Sequence, residues 1–148
     1  MEPEPRELSE ARELLGKFEQ LENDPSGLPY LKRGLKLLCE TIEGSQSDRD
    51  KRIARNILGT HRSKVLSRAK LLLSNPKSYE LETLEHWHRV MKAFTDSGFD
   101  DDPKFNAARD DLFTVWLRLW FHSLSPWQQQ ELLKELRSQS KEQRANGS

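Results

Sequence analysis

The sequence lacks the cysteines that cross-link small secreted domains and the long apolar segments that anchor membrane proteins. It contains one cysteine, Cys39, so neither an internal disulfide framework nor a four-thiolate zinc site can form, and a reducing, cytoplasmic location is expected. The longest apolar stretch, residues 112–121, includes Arg118 and is too short to span a bilayer. The first residues are acidic and no apolar segment follows them. We therefore expect a soluble chain with no membrane partner.

Net charge is also lacking, because 24 basic residues balance 24 acidic ones. The charges are distributed unevenly, since residues 1–24 are mainly acidic and residues 48–77 mainly basic. Mixed charge is typical of a solvated surface, whereas a nucleic-acid-binding domain usually keeps a positive balance. The favoured interpretation is that the acidic segment packs along the basic one. The alternative is that the basic segment faces an external polyanion.

Strand-like alternation and internal repeats are absent as well, and the pattern that remains is helical. Apolar residues recur three and four positions apart, and proline, glycine and capping residues mark the ends of each segment. Six helices are predicted, at about residues 7–22, 28–42, 48–74, 78–98, 103–123 and from 126 onward. The fold class is therefore expected to be all-α, a single-domain helical bundle of about six helices.

The expected organisation has three parts. Residues 1–6 are predicted to be a flexible N-terminus, residues 7–137 the helical bundle domain, and residues 138–148 a polar, disordered tail. The apolar faces of the helices predict which side chains form the core. These are Leu35, Leu38, Leu58, Leu84, Trp87, Leu112, Trp116 and Leu119.

Side chains that could carry chemistry are few, and their spacing argues against a site. His86 and His88 are two residues apart, so on a helix they point about 200° from one another and cannot chelate one ion. Glu85 and His88 have the carboxylate–imidazole step of di-iron bundles, but the second such motif is missing, which favours a solvated neighbour pair. The four-residue spacing of Glu82 and His86 predicts that they form an ordinary pair on the helix surface.

The remaining motifs have simple structural explanations. The acidic run at residues 100–102 lacks the alternation and the glycine of a calcium loop, and capping of the following helix explains it. Residues 59–64 lack the strand and glycine spacing of a phosphate loop. Cys39 has no histidine at helical spacing, and His61 lies on a buried stripe, as a core histidine bonded to a neighbour would. We expect no enzymatic activity, no cofactor and no metal.

The fifth predicted helix is the least ordinary segment. Between residues 112 and 121 only Thr114 and Arg118 interrupt the apolar run, so apolar surface extends most of the way round the helix. Either this is the enclosed central helix of the bundle, or one flank stays open for a partner. The first helix is expected to be too sparsely apolar to cover that flank. The candidate interface residues are Phe113, Leu117, Arg118, Trp120, Phe121 and Trp127.

These features favour a small, non-enzymatic protein-interaction or adaptor module that self-associates through its Trp-rich C-terminal half, as a homodimer, or binds a protein partner. The alternative is a nucleic-acid-binding helical protein that uses the basic third helix, residues 48–77. Arg52, Arg55 and Arg62 share one side of that helix and would contact phosphates. No aromatic residue is interleaved with them for base stacking, so this alternative is less favoured.

Overall fold

The computed structural model describes residues 4–146, with the side chains of residues 4–141. Its six α-helices are, in chain order, α1 Arg6–Gln20, α2 Leu28–Gly44, α3 Asp48–Ser74, α4 Leu81–Asp96, α5 Pro103–Ser123 and α6 Pro126–Asn146. Short 3-10 turns at Pro25–Gly27 and Pro76–Ser78 precede α2 and α4. The structure is 86% helical, against about a third in a typical globular domain. The described residues contain no strand, and the all-α, single-domain prediction is confirmed.

Side-chain caps explain where the later helices begin. At the start of α5, Asp102 Oδ1 accepts hydrogen bonds from the backbone N–H groups of Lys104 and Phe105, at 3.0 and 3.3 Å. At the start of α6, the N–H of Gln128 donates to Ser125 Oγ at 3.2 Å, and the N–H of Ser125 donates back to Gln128 Oε1 at 3.0 Å. These bonds form the capping box that the sequence predicts.

The acidic first helix packs closely on the second. Leu8, Ala11 and Leu15 are fully buried, and the contact between α1 and α2 is the most extensive one between two helices in the described chain. At this contact a Cβ on Gly34 would lie 2.9 Å from Leu15 Cγ. The apolar residues of α1 lie on one face, and this face packs on α2. In the described chain α1 has no extensive contact with α5, so it does not cover the flank of that helix.

One hydrophobic core is enclosed by α1 to α4 and the first half of α5, and we call this part, residues 4–112, the body. Of the predicted core residues, Leu35, Leu38, Leu58, Leu84, Trp87 and Leu112 are buried as expected. The prediction missed the large buried rings of Phe94 and Phe105, whose centroids are 5.5 Å apart across α4 and α5. These two rings hold α5 against α4.

Burial stops beyond Leu112, in a part that we call the arm, residues 113–146. Trp116 and Leu119, predicted to be core residues, are only partly buried and pack against the edge of the core. Over the described chain, α6 shares no packed interface with another helix. The enclosed central position considered for α5 is therefore wrong, because α3 and α4 cover it on one side only.

Helix α6 extends further toward the C-terminus than expected. α6 continues to Asn146, so residues 138–146 of the predicted disordered tail are helical; their Gln, Glu, Lys and Arg residues are good helix formers. Glu4, in the predicted flexible N-terminus, accepts a hydrogen bond from Arg12 Nε at 2.9 Å. Residues 1–3 and 147–148 lie outside the described residues. None of the helices within 4–146 combines the length and the apolar character needed to cross a membrane.

Candidate functional site

A row of aromatic rings runs along one side of α5. The ring of Phe113 lies 5.0 Å from that of His88 on α4 and 6.0 Å from that of Trp116, centroid to centroid. Trp116 in turn stacks on Trp120 at 6.0 Å, with 15° between the ring planes. The steps of three and four residues place these side chains along one stripe of the helix. We call His88, Phe113, Trp116 and Trp120 the aromatic row.

Exposed apolar side chains are concentrated beside this row and on α6. Among the residues whose side chains are described, six large hydrophobic residues are exposed, and five of them belong to the arm. They are Phe113 and Leu117 at 42%, Trp127 at 69%, Leu133 at 42% and Leu136 at 52%. Exposed apolar surface concentrated in one part of a monomer is uncommon and often marks an interaction surface.

The structure brings only some of the predicted interface residues together. Phe113, Leu117 and Trp120 share the stripe, and Trp120 and Phe121 are partly buried. Arg118 is exposed but lies five residues after Phe113, about 140° further round the helix, and so faces away from the row. Trp127 is exposed on α6.

Several residues of this surface were missed by sequence reasoning. Trp116 had the correct helical spacing between Phe113 and Trp120 but was interpreted as core. Leu133 and Leu136 could have been found from their spacing on α6. Only the fold places His88 against Phe113, because the two residues belong to different helices.

The turn between α5 and α6 is ordered by hydrogen bonds although α6 is not packed against the body. The Gln129 side-chain amide donates to the carbonyl oxygens of Phe121 and Leu124, at 3.0 and 3.2 Å. These bonds satisfy carbonyl groups that the end of α5 leaves without a helical partner. The two helices with exposed apolar side chains, α5 and α6, are therefore connected by one hydrogen-bonded turn.

The three arginines of the polyanion alternative differ in their surroundings. Arg62 Nη1 lies 2.8 Å from Asp101 Oδ1, and the hydrogen bond from Arg62 lowers the pKa of Asp101. Arg52 and Arg55 are exposed on α3. Because Arg62 is ion-paired with Asp101, the three arginines do not form one free basic patch. Binding of a polyanion stays a prediction.

The histidines of α4 do not form the pairs that their spacing predicted. His86 is buried, and its Nε2–H donates to the Glu22 carbonyl at 3.2 Å, so the expected surface pair with Glu82 is wrong. Glu85 pairs with Arg89 at 2.6 Å, not with His88. Burial lowers the pKa of both His86 and His88, which keeps these imidazoles neutral near pH 7.

His61 is bonded to a neighbour, as its place on the buried stripe of α3 predicted. Its Nδ1 lies 2.7 Å from Glu19 Oε1, and Lys64 Nζ approaches the same carboxylate oxygen at 3.2 Å. These contacts join the acidic end of α1 to basic α3, although α1 packs mainly on α2. Among the described side chains, no group of three or more His, Cys, Asp or Glu residues could hold a metal ion.

Comparison with known proteins adds no relative: no protein-family model, no curated protein and no solved structure matches this chain significantly. What the chain does is therefore inferred from its own surface. The arm is the part of that surface that holds five of the six exposed large hydrophobic residues among the described side chains.

Proposed function

We propose that this chain is a non-enzymatic protein-interaction module that self-associates, with the arm of one copy packed against the arm of a second. The observation that carries the proposal is the contrast in burial between the two parts. The body encloses its apolar side chains, whereas the arm holds five of the six exposed large hydrophobic residues described. Water-exposed apolar surface of this extent is removed most simply by a protein contact.

The apolar surface of the arm is sufficient for a small dimer. The exposed parts of its five large hydrophobic residues sum to roughly 500 Å², taking about 150–250 Å² for a large side chain. With a polar rim added, this area would approach the roughly 800 Å² per partner of a stable interface if the exposed faces of α5 and α6 both take part in the contact. A two-fold contact uses the same patch on both copies, so no second kind of surface is needed.

The isolation of α6 also favours a partner. Most helical stability in proteins comes from packing of one face, and a single helix in water is only marginally stable. α6 extends for 21 residues without a packed neighbour in the described chain. Leu133 and Leu136 would supply the apolar contacts that such a helix requires.

Charge makes a second copy a suitable occupant. The net charge of the chain is zero, so two copies do not repel one another at long range. The exposed surface of α6 carries both signs, with Glu131 and Glu135 beside Lys134 and Arg137. A surface of mixed sign can face its own copy without concentrating like charges.

The test is sedimentation velocity of the full chain through the micromolar range, combined with one charge substitution in the arm. Leu117→Glu places a carboxylate in the apolar contact and should convert the dimer to a monomer. Leu71→Glu is the matched control, because Leu71 is an equally apolar, 52% exposed leucine on α3, outside the arm. It should leave the dimer intact. Circular dichroism checks that both variants keep their helices.

Two results would overturn the proposal. One is a wild-type chain that sediments as a 17.3 kDa monomer throughout the concentration range. The other is a Leu117→Glu variant that dimerises as tightly as the wild type. Loss of the dimer in the Leu71→Glu variant alone would move the interface to the body and would also contradict the assignment to the arm.

A further inference from the structure

A cleft of about 280 Å³ opens in the body between α1, α3 and α4, outside the arm. Its floor is apolar and consists of Phe18, Val65 and Trp87. The rings of Phe18 and Trp87 meet edge to face, with centroids 6.4 Å apart. The volume lies just under the usual range of small-molecule pockets, which begins near 300 Å³, and limits any ligand to a small one.

Charged side chains of both signs line the cleft beside this floor. Glu19 is neutralised, because Lys64 Nζ and His61 Nδ1 both contact its Oε1, at 3.2 and 2.7 Å. The cleft is also lined by Glu22, in the turn that follows α1, and by Arg68 of α3. Among the described side chains these last two form no ion pair with one another, so each still has charge to offer a ligand.

Arg68 is short of hydrogen-bond acceptors. Its guanidinium lies over the Trp87 ring at 5.5 Å, and its Nη2 is 3.4 Å from Asn23 Oδ1, which is a long hydrogen bond. Its Nε is buried and has no hydrogen-bond partner. An arginine carries five N–H donors in a planar fork that suits a carboxylate, so a carboxylate ligand would supply acceptors to the Nη groups, whereas the enclosed Nε stays out of its reach.

The Glu22 side of the cleft is held in place by α4. Glu22 has φ +47°, in the left-handed region that non-glycine residues rarely adopt. Its carbonyl accepts the hydrogen bond from His86 Nε2, and the neighbouring Asn23 Oδ1 accepts one from Trp87 Nε1 at 2.7 Å. Such a backbone conformation persists where the surrounding structure fixes it, so the turn that carries Glu22 is fixed at the rim of the cleft.

We propose that this cleft binds a small zwitterion with an apolar side chain, that is, an α-amino acid of the leucine or phenylalanine type. The carboxylate pairs with Arg68, the ammonium pairs with Glu22, and the side chain lies on the floor of Phe18, Val65 and Trp87. A simple anion would be repelled by Glu22, and a simple cation by Arg68. Only a ligand with both charges gains from both walls.

The test uses the wild-type chain and three ligands that differ only in charge. L-phenylalanine is titrated while the indole N–H signal of Trp87 is followed by NMR, with Trp87→Phe to assign that signal. A saturable shift is expected, with a Kd in the millimolar range typical of so small a ligand. 3-Phenylpropanoate lacks the ammonium and 2-phenylethylamine lacks the carboxylate. Each should therefore bind at least about tenfold more weakly than L-phenylalanine.

Variants test the two charged walls separately. Arg68→Gln and Glu22→Gln should each weaken binding of L-phenylalanine by about tenfold, because each removes one charge-assisted hydrogen bond. Arg52→Gln, an exposed arginine of the same helix, is the matched control and should bind like the wild type. Absence of a shift at Trp87, equal binding of the three ligands, or unchanged binding by Arg68→Gln would each overturn the proposal. The comparison of the three ligands uses only the wild-type chain, so it tests the proposal even if the Arg68→Gln variant does not fold.

Discussion

The body and the arm meet within one helix, α5, and two phenylalanines on it show how they differ. Phe105 is fully buried, whereas Phe113, about two turns further along, is 42% exposed. Phe105 packs on Phe94 of α4, but Phe113 touches only the edge of the body, at His88. The sequence around Phe113 is the more apolar of the two, yet Phe113 is the exposed residue. Burial is therefore determined by which other helices lie beside the residue.

The largest expected effect comes from truncating these two rings. Phe105→Ala leaves a cavity in a closed core and should lower the free energy of unfolding by about 3–5 kcal/mol. Phe113→Ala removes a ring that is already partly in water, and should cost less than about 1 kcal/mol in the monomer. Urea denaturation at low protein concentration, where self-association is negligible, compares the two. Equal losses would show that the body and the arm do not differ in packing.

The next effect tests how closely the helices of the body approach each other. Gly34→Ala places a methyl group 2.9 Å from Leu15 Cγ, and since Leu15 is fully buried it cannot move aside easily. This substitution should destabilise the chain by about 1–3 kcal/mol.

Gly16→Ala is the matched control on α1, since an added Cβ there meets no atom within 4 Å. It should stabilise the chain by about 0.5–1 kcal/mol, because alanine is the better helix former. Thermal and urea unfolding measure both variants. A neutral Gly34→Ala would mean that α1 and α2 are not in close contact.

The smallest effect is a pH dependence that belongs to the body. Burial lowers the pKa of His86 in the folded chain below its ordinary value of about 6.5. Below that pH the unfolded chain binds more protons than the folded one, so stability should decrease as the pH falls from 7 to 5. Burial also lowers the pKa of His61 and His88, which adds to the same slope.

His86→Gln should therefore reduce this slope without removing it. The measurement is the free energy of unfolding at pH 7 and at pH 5. His122→Gln, at an exposed histidine of the arm, controls for the loss of a histidine as such. A slope that His86→Gln leaves unchanged would show that the buried imidazole does not contribute.

The features that were predicted correctly depend on neighbours in the sequence. The span of α3 and the capping box at Ser125 and Gln128 were both found, since caps and apolar periodicity act within a few residues. The errors concern partners far along the chain. His86 bonds to Glu22, which is 64 residues away, so its spacing from Glu82 was misleading. Trp116 was predicted to be buried from its place in the helical periodicity. That prediction was wrong because periodicity gives the direction of a side chain but does not show whether another helix lies opposite it.

The sequence by itself determined the six helices and most of their ends, because helical hydrogen bonds join residues four apart and each cap lies within one turn. Only the tertiary structure decided that α5 is covered on one side and that Glu22 and Arg68 line the same cleft. Burial and charge pairing depend on distances between segments that are remote in the chain. The packing of α1, α3 and α4 sets those distances, and no local pattern records them.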